Sequence, residues 1–283
     1  MLKLLSVWSL HRALGPEQRR VLATKKVDGS RPLAELVALL RPLGRLDAAG
    51  NVARRQVGGG AVAAGVAALA GGWIGLALPA PGPFFAVPAG LAVLCIGLGL
   101  AWRSLRRVDL SDNLVHVALP LLRVLEEEGD PRTMLTLTLD LQRADVAEKL
   151  VDRKSLDGQA GRKIVESLYR DPWLSGRVVL ADGARLSFAV VDEVRERRQT
   201  RRNPRGKTKT KIKLRYWRTY RAAVELPDEH YGAAAAKTTG APVKLSRVVK
   251  ADALPRDPLP LLDLVAEAYR GATLKAPPQE RRS

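Results

Sequence analysis

The chain has 283 residues, a formal net charge of +18 at pH 7, 46% hydrophobic residues and a single cysteine, Cys95. One cysteine excludes an intrachain disulfide framework, and the length accommodates one soluble domain of about 150 residues beside a membrane part and an N-terminal region. The charge is local: residues 1–55 carry +7, 56–102 none, 103–194 −2, 195–221 +12 and 222–283 +1, which excludes a uniformly basic composition as the explanation.

At the N-terminus, the apolar run Leu2–Leu10 is interrupted by His11-Arg12 before it reaches the length of a leader's apolar core. It therefore predicts an amphipathic helix, packed on protein or lying on a membrane surface. Leu33, Leu36, Val37 and Leu40 follow at the i, i+3, i+4, i+7 spacing of a helix face, opened by Pro32 and Glu35 and ended by Pro42 and Gly44. Residues 1–55 thus read as a helical region on the cytoplasmic side of a membrane, joined to it by a linker.

From Gln56 to Trp102, forty-seven consecutive residues contain no Lys, Arg, Asp, Glu or His. A run of that length without charge predicts lipid as its solvent. Pro79, Pro81 and Pro83 place a turn at 79–83 between two spans, at about 57–78 and 84–102. Arg54 and Arg55 before the first span, and Arg103, Arg106 and Arg107 after the second, predict a transmembrane helical hairpin with both termini cytoplasmic, in a bacterial inner membrane. Ala64, Ala68 and Gly72, with Gly71 and Gly75 on an adjacent line, form small-xxx-small rows that let helices approach closely, within the hairpin, between copies or in a membrane complex. The absence of ionisable groups argues against a conduction path.

Residues 103–276 predict a cytoplasmic α+β domain whose twisted antiparallel sheet packs on helices, with a disordered tail at 277–283. The overall fold class is therefore membrane-anchored α+β. A helix is expected from Asn113 to Glu128, capped by Ser111 or Asp112 and kinked or restarted at Pro120. Thr133–Leu141 alternates as a strand, with Leu135, Leu137, Leu139 and Leu141 on one face. Short helices are expected at Ala144–Lys149 and Lys163–Tyr169. Arg177–Leu180, the turn Asp182-Gly183 and Arg185–Val194 predict a hairpin. A further strand, Lys207–Leu226, places Lys207, Lys209, Lys211, Lys213 and Arg215 on one face and Thr208, Thr210, Ile212, Leu214, Tyr216 and Tyr220 on the other. A helix at Pro258–Tyr269, with Leu261, Leu262, Val265 and Ala268 inward, is the expected cover for the sheet.

The strongest functional signal is the basic ribbon within 195–221. Arg195, Arg197, Arg198, Arg201, Arg202, Arg205, Lys207, Lys209, Lys211 and Lys213 are too many cations to bury, so a projecting two-stranded β-arm is expected. Such an arm suits a polyanion. Anionic lipid at the cytoplasmic leaflet gains about 1 kcal/mol per Lys or Arg near the surface. Nucleic acid would release counterions and stack on Tyr216, Trp217 or Tyr220; an acidic protein is a third partner. The plain alternative is a solvated hairpin whose like charges guard an exposed edge. Tethering beside a membrane ranks lipid first.

Other motifs fall away. Gly206-Lys207-Thr208 matches the end of a phosphate-binding loop, but Arg201 stands in place of its first glycine and a strand follows. His11, His116 and His230 have no second ligand at metal spacing, and no Ser, Cys or Lys has an activating partner. The expectation is a non-enzymatic, membrane-anchored binding or scaffold protein without cofactor, metal or catalytic residue; an accessory subunit of a membrane complex is the alternative.

Overall fold

A strand from the N-terminal region, β1 (Lys26–Pro32), forms the edge of a sheet otherwise built from residues 134–251. The computed structural model describes every residue except 1, 78–85, 130–131, 159–161, 203–205, 228–229, 234–241, 252, 254–255, 271 and 275–283. The chain divides into two units, residues 1–23 with 39–110 and residues 24–38 with 111–283.

The first unit is helical, and it overturns the expected two-helix transmembrane hairpin. After α1 (Leu2–Ala13) and α2 (Pro16–Thr24), residues 57–77 do not form a helix of their own. They are the second half of α3 (Leu33–Ala77), a 45-residue helix that runs through Pro42 and Gly44. Among the described residues only one helix segment, Val87–Leu105 within α4 (Ala86–Leu105), is long and apolar enough to cross a membrane. The expected turn at 79–83 lies outside the described residues.

Continuity explains the difference. Pro42 removes a single amide donor, and Gly44 costs about 1 kcal/mol against alanine, while the helix buries Leu36, Leu40, Leu43 and Leu46 completely. Arg54, which reads in the sequence as the edge of a span, is held inside its unit. It pairs with Asp109 at 2.6 Å and donates to Asn51, whose amide donates to Asp47 at 3.1 Å. Asp47, 1% exposed, also accepts the Leu110 amide at 3.0 Å.

α3 and α4 run side by side in opposite directions. A Cβ added to Gly65 would sit 3.4 Å from Cys95 Sγ, and one on Gly71 3.4 Å from Pro88; Cys95 Sγ donates to the Ala61 carbonyl at 3.3 Å. Of the small-residue rows, Ala64 is buried, Ala68, Gly71 and Gly72 are half-buried, and Gly75 lies in the last turn of α3. Val62, Val66, Leu69, Trp73, Val93 and Ile96 are more than 60% exposed, so this pair presents a large apolar surface.

The second unit is α+β. Its sheet is antiparallel throughout, in the order β1, β2 (Met134–Asp140), β4 (Arg162–Val179), β5 (Arg185–Arg202), β6 (Thr208–Glu225), β8 (Val243–Ala251), with β3 (Leu150–Gly158) pairing the outer half of β4. β7 (Tyr231–Ala233) and β9 (Ala272–Leu274) form a separate small ribbon. The expected hairpin around Asp182-Gly183 is present, and Gly183 takes the positive φ of 82° that the turn requires. The expected helix at 163–169 is instead strand. Ile164, Val165 and Tyr169 favour a pleated surface, and pairing on both sides decides between two periods that seven residues cannot separate. Ala144–Lys149 reduces to one 3₁₀ turn at Ala147–Lys149.

The alternation read in β2 sets the core. Leu135, Leu137, Leu139 and Leu141 are at most 1% exposed. On the same face lie Leu174, Leu186, Phe188, Val190 and Tyr220, all buried. α5 (Leu119–Glu128), which restarts at Pro120 after a π-helical turn, and α6 (Leu259–Arg270) cover it with Leu121, Leu125, Leu261 and Leu264. Gly176 faces Phe188 across the ladder, where any Cβ would run into the ring, so only glycine fits.

β4 gains one residue against β5 between Asp171 and Leu174. This bulge tolerates Pro172 in a central strand and turns Trp173 fully inward. Beside it, Lys149 Nζ reaches Asp171 at 2.8 Å and Asp140 at 3.1 Å. Burial pushes the Asp171 carboxyl up from 3.8 to about 6, although Lys149 pulls the other way. The folded protein therefore binds this proton more tightly than the unfolded chain does. The ionised form costs about 3 kcal/mol above pH 6, and that cost shrinks as pH falls through 6 and is gone below the unfolded value of 3.8. Urea titrations of wild type and Asp171→Asn at pH 7 and pH 4 should show the wild type gaining about 2 kcal/mol relative to the variant at the lower pH. A difference that stays constant would refute the assignment.

Candidate polyanion-binding face

The outer halves of β4, β5 and β6, together with β3, form the basic arm. The expectation of two strands is too small, because β4 and then β3 continue the sheet on the β5 side of the basic pair: Lys154 opposes Glu166, Glu166 opposes Arg197, and Arg197 opposes Lys213. Residues directly opposite one another in an antiparallel ladder share a face. One face consequently collects Arg195, Arg197 and Arg201 from β5 with Lys209, Lys211, Lys213 and Arg215 from β6. Those seven side chains are exposed.

The remaining ribbon residues fall elsewhere. Arg198 is on the opposite face, where it pairs with Glu196 at 3.2 Å, and Arg202 closes the outer end of the ladder opposite Thr208. Lys207 is exposed and precedes β6, and Arg205 lies outside the described residues. Tyr220 is core: it is fully buried and donates to the Asp257 carbonyl at 3.0 Å. Tyr216, half-buried, is also on the face away from the cations. Trp217 alone of the three aromatics lies on the cationic face, half-buried in a cavity of about 450 Å³ at the base of the arm with Leu168 and Val248.

The electrostatics of this face are unbalanced. Along the β5–β6 ladder Arg195 stands opposite Arg215, Arg197 opposite Lys213 and Arg201 opposite Lys209. Like charges directly across a ladder are destabilising. Glu166 offsets part of this, accepting from Arg195 at 2.6 Å and approaching Arg197 at 3.5 Å. Among the described residues no ion pair reaches Lys209, Lys211, Lys213 or Arg215.

Where the arm leaves the central sheet, a buried ion network fixes its base. Arg218 and Asp192 are both 0% exposed and face one another in the ladder. Arg218 Nε donates to Asp192 Oδ1 at 2.6 Å, and its Nη2 donates to Asp192 Oδ2 and to Asn113 Oδ1, each at 2.7 Å. The guanidinium also lies 5.2 Å from the centre of the Trp173 ring. Burial works to lower the Arg218 pKa, but the hydrogen bond and charge of Asp192 outweigh it, and the net direction is up. In the sequence Arg218 reads as one cation among the thirteen of 195–221. The signal that sets it apart is its even-numbered place between Tyr216 and Tyr220, on the inward face.

Among the described residues no group of three or more His, Cys, Asp or Glu side chains is placed to hold a metal ion. His11, His116 and His230 lie in separate parts of the chain. Comparison of the chain with known families, curated proteins and solved structures finds no match.

Proposed function

We propose that the chain is a non-enzymatic, membrane-associated binding protein whose β-arm contacts anionic lipid headgroups. The observation that carries this reading is the run of three like-charge pairs across β5 and β6. An arm built only to fold would alternate its signs, whereas a partner that supplies negative charge relieves the repulsion. α4 contributes the apolar element, exposed or half-exposed from Val87 to Leu100. Only Arg106–Leu110 separate it in sequence from the unit that carries the arm, so headgroups are the polyanion nearest at hand. A nucleic-acid strand would be expected to stack on successive aromatic rings, and among the described residues of the β5–β6 ladder this face offers Trp217 alone.

Limited trypsin digestion of the full chain in lipid nanodiscs tests the proposal. Cleavage after Lys209, Lys211 and Lys213 should slow at least tenfold on discs containing phosphatidylglycerol compared with phosphatidylcholine alone, and high salt should restore it. Equal cleavage rates on the two discs would remove the basis for a lipid contact.

A further inference from the structure

The open face of the central sheet, beyond the arm, holds a depression of about 580 Å³, within the range of small-molecule sites. Its shape follows from the register. In one row across the strands Arg177 and Lys244 flank Ser187 and Ala223. In the next row Arg221 stands between Ala189 and Ser246. A solvated sheet face is ordinarily filled by long polar side chains; here the middle is serine and alanine, and the long side chains stand around it. Strands lie about 4.8 Å apart, so Arg177 and Lys244, three strands apart, are roughly 14 Å from one another at Cα. Two extended side chains of that kind can meet on one group between them.

The charge is uncompensated. Among the described residues Arg177, Arg221 and Lys244 make no ion pair. On the same face Glu225 pairs with Arg185 at 3.4 Å, and Asp28, which accepts from the Thr138 hydroxyl at 2.9 Å, stands on the edge strand β1, two strands away from Arg177. Hydroxyls of Ser175, Ser187 and Ser246 add donors to the floor and wall.

We propose that this depression binds a phosphate-bearing group of headgroup size, held by Arg177, Arg221 and Lys244 and by the serine hydroxyls between them. Cations from three strands converge on a shallow floor that only small side chains leave open, which suits a compact anion rather than a flat bilayer surface. A phosphorylated lipid headgroup and a free phosphate ester share this chemistry. The site lies on the inner halves of β4, β5 and β6 and on the edge strand β8, and does not depend on the arm.

Calorimetric titration of the detergent-solubilised full chain with inorganic pyrophosphate should show one saturable site. Arg177→Gln and Lys244→Gln should each weaken it about tenfold. Ala223→Leu and Ser187→Leu, which fill the floor without changing charge, should weaken it comparably while the circular dichroism of the sheet is unchanged. A paired measurement on phosphatidylcholine vesicles with and without 5% phosphatidylinositol phosphate separates the sources. If Ala223→Leu also abolishes a preference for the phosphorylated vesicles, the ligand is a lipid headgroup; if only pyrophosphate binding changes, it is a soluble phosphate ester. The proposal is overturned if pyrophosphate gives no saturable heat. It is equally overturned if the filling variants bind as well as wild type, or if Lys209→Gln with Lys211→Gln removes the binding instead.

Discussion

Asp192→Ala is expected to lower the free energy of unfolding of the sheet unit by about 3–5 kcal/mol, read as the shift in a urea titration followed by the β-sheet signal. The magnitude comes from what is left behind rather than from what is lost. Arg218 is 0% exposed and has two short hydrogen bonds to Asp192, so removing the carboxylate leaves a buried guanidinium beside neutral groups that include Asn113, the Trp173 face and the Tyr220 hydroxyl. None of these three neutralises a charge. Replacing both partners together, Asp192→Leu with Arg218→Met, should recover most of the loss, since a buried pair rarely outperforms well-packed apolar residues of similar size. A single-variant loss below about 1 kcal/mol would mean that water reaches Arg218 and that the ion network does not fix the base of the arm.

Replacing Arg197, Lys209, Lys211 and Lys213 together by glutamine should produce two changes of opposite sign. The preference of the full chain for vesicles containing phosphatidylglycerol over pure phosphatidylcholine should fall by about 4 kcal/mol, roughly a thousandfold, at about 1 kcal/mol for each cation. Taking the ratio of the two partition coefficients cancels whatever α4 contributes to both. The stability of the arm should rise, by roughly 0.2–1 kcal/mol for each like-charge pair relieved, read as slower amide exchange in β5 and β6. Damaged folding would lower both quantities together, so the opposite signs identify a surface that tolerates repulsion for the sake of a partner. An unchanged lipid preference would leave the arm as a solvated edge.

Strict alternation makes much of the sheet legible in the amino-acid sequence itself. Leu135 to Leu141, the turn at Asp182-Gly183 and the facing lysines of β6 each depend on a period of two that local residues enforce. The hidden parts depend on distant partners. Nothing near Lys26–Pro32 announces a strand, because Gly29 and Pro32 are poor strand formers and their pairing with β2 is more than a hundred residues away. The arm's four-strand width is hidden for the same reason: residues 163–169 are strand only because β3 and β5 lie on either side. Charge misleads at the helices. A charge-free run starting after Arg55 resembles an independent span, but Arg54 is satisfied by Asp109 and the helix simply continues. The depression at Arg177, Arg221 and Lys244 draws on three strands whose register no single-sequence pattern reveals.

The N-terminal edge strand also dictates how the molecule must be handled and made. β1 joins β2 across a loop that contains all of α3 and α4, so a fragment beginning at Arg103, where composition alone would cut, lacks the cover of β2. Such a fragment would present the amides and carbonyls of Met134–Asp140 to other chains, an invitation to edge-to-edge association. During synthesis the order is equally constrained. Residues 26–32 leave the ribosome early but find their partner only after residue 140 has emerged, so they wait unpaired while the long apolar helices form.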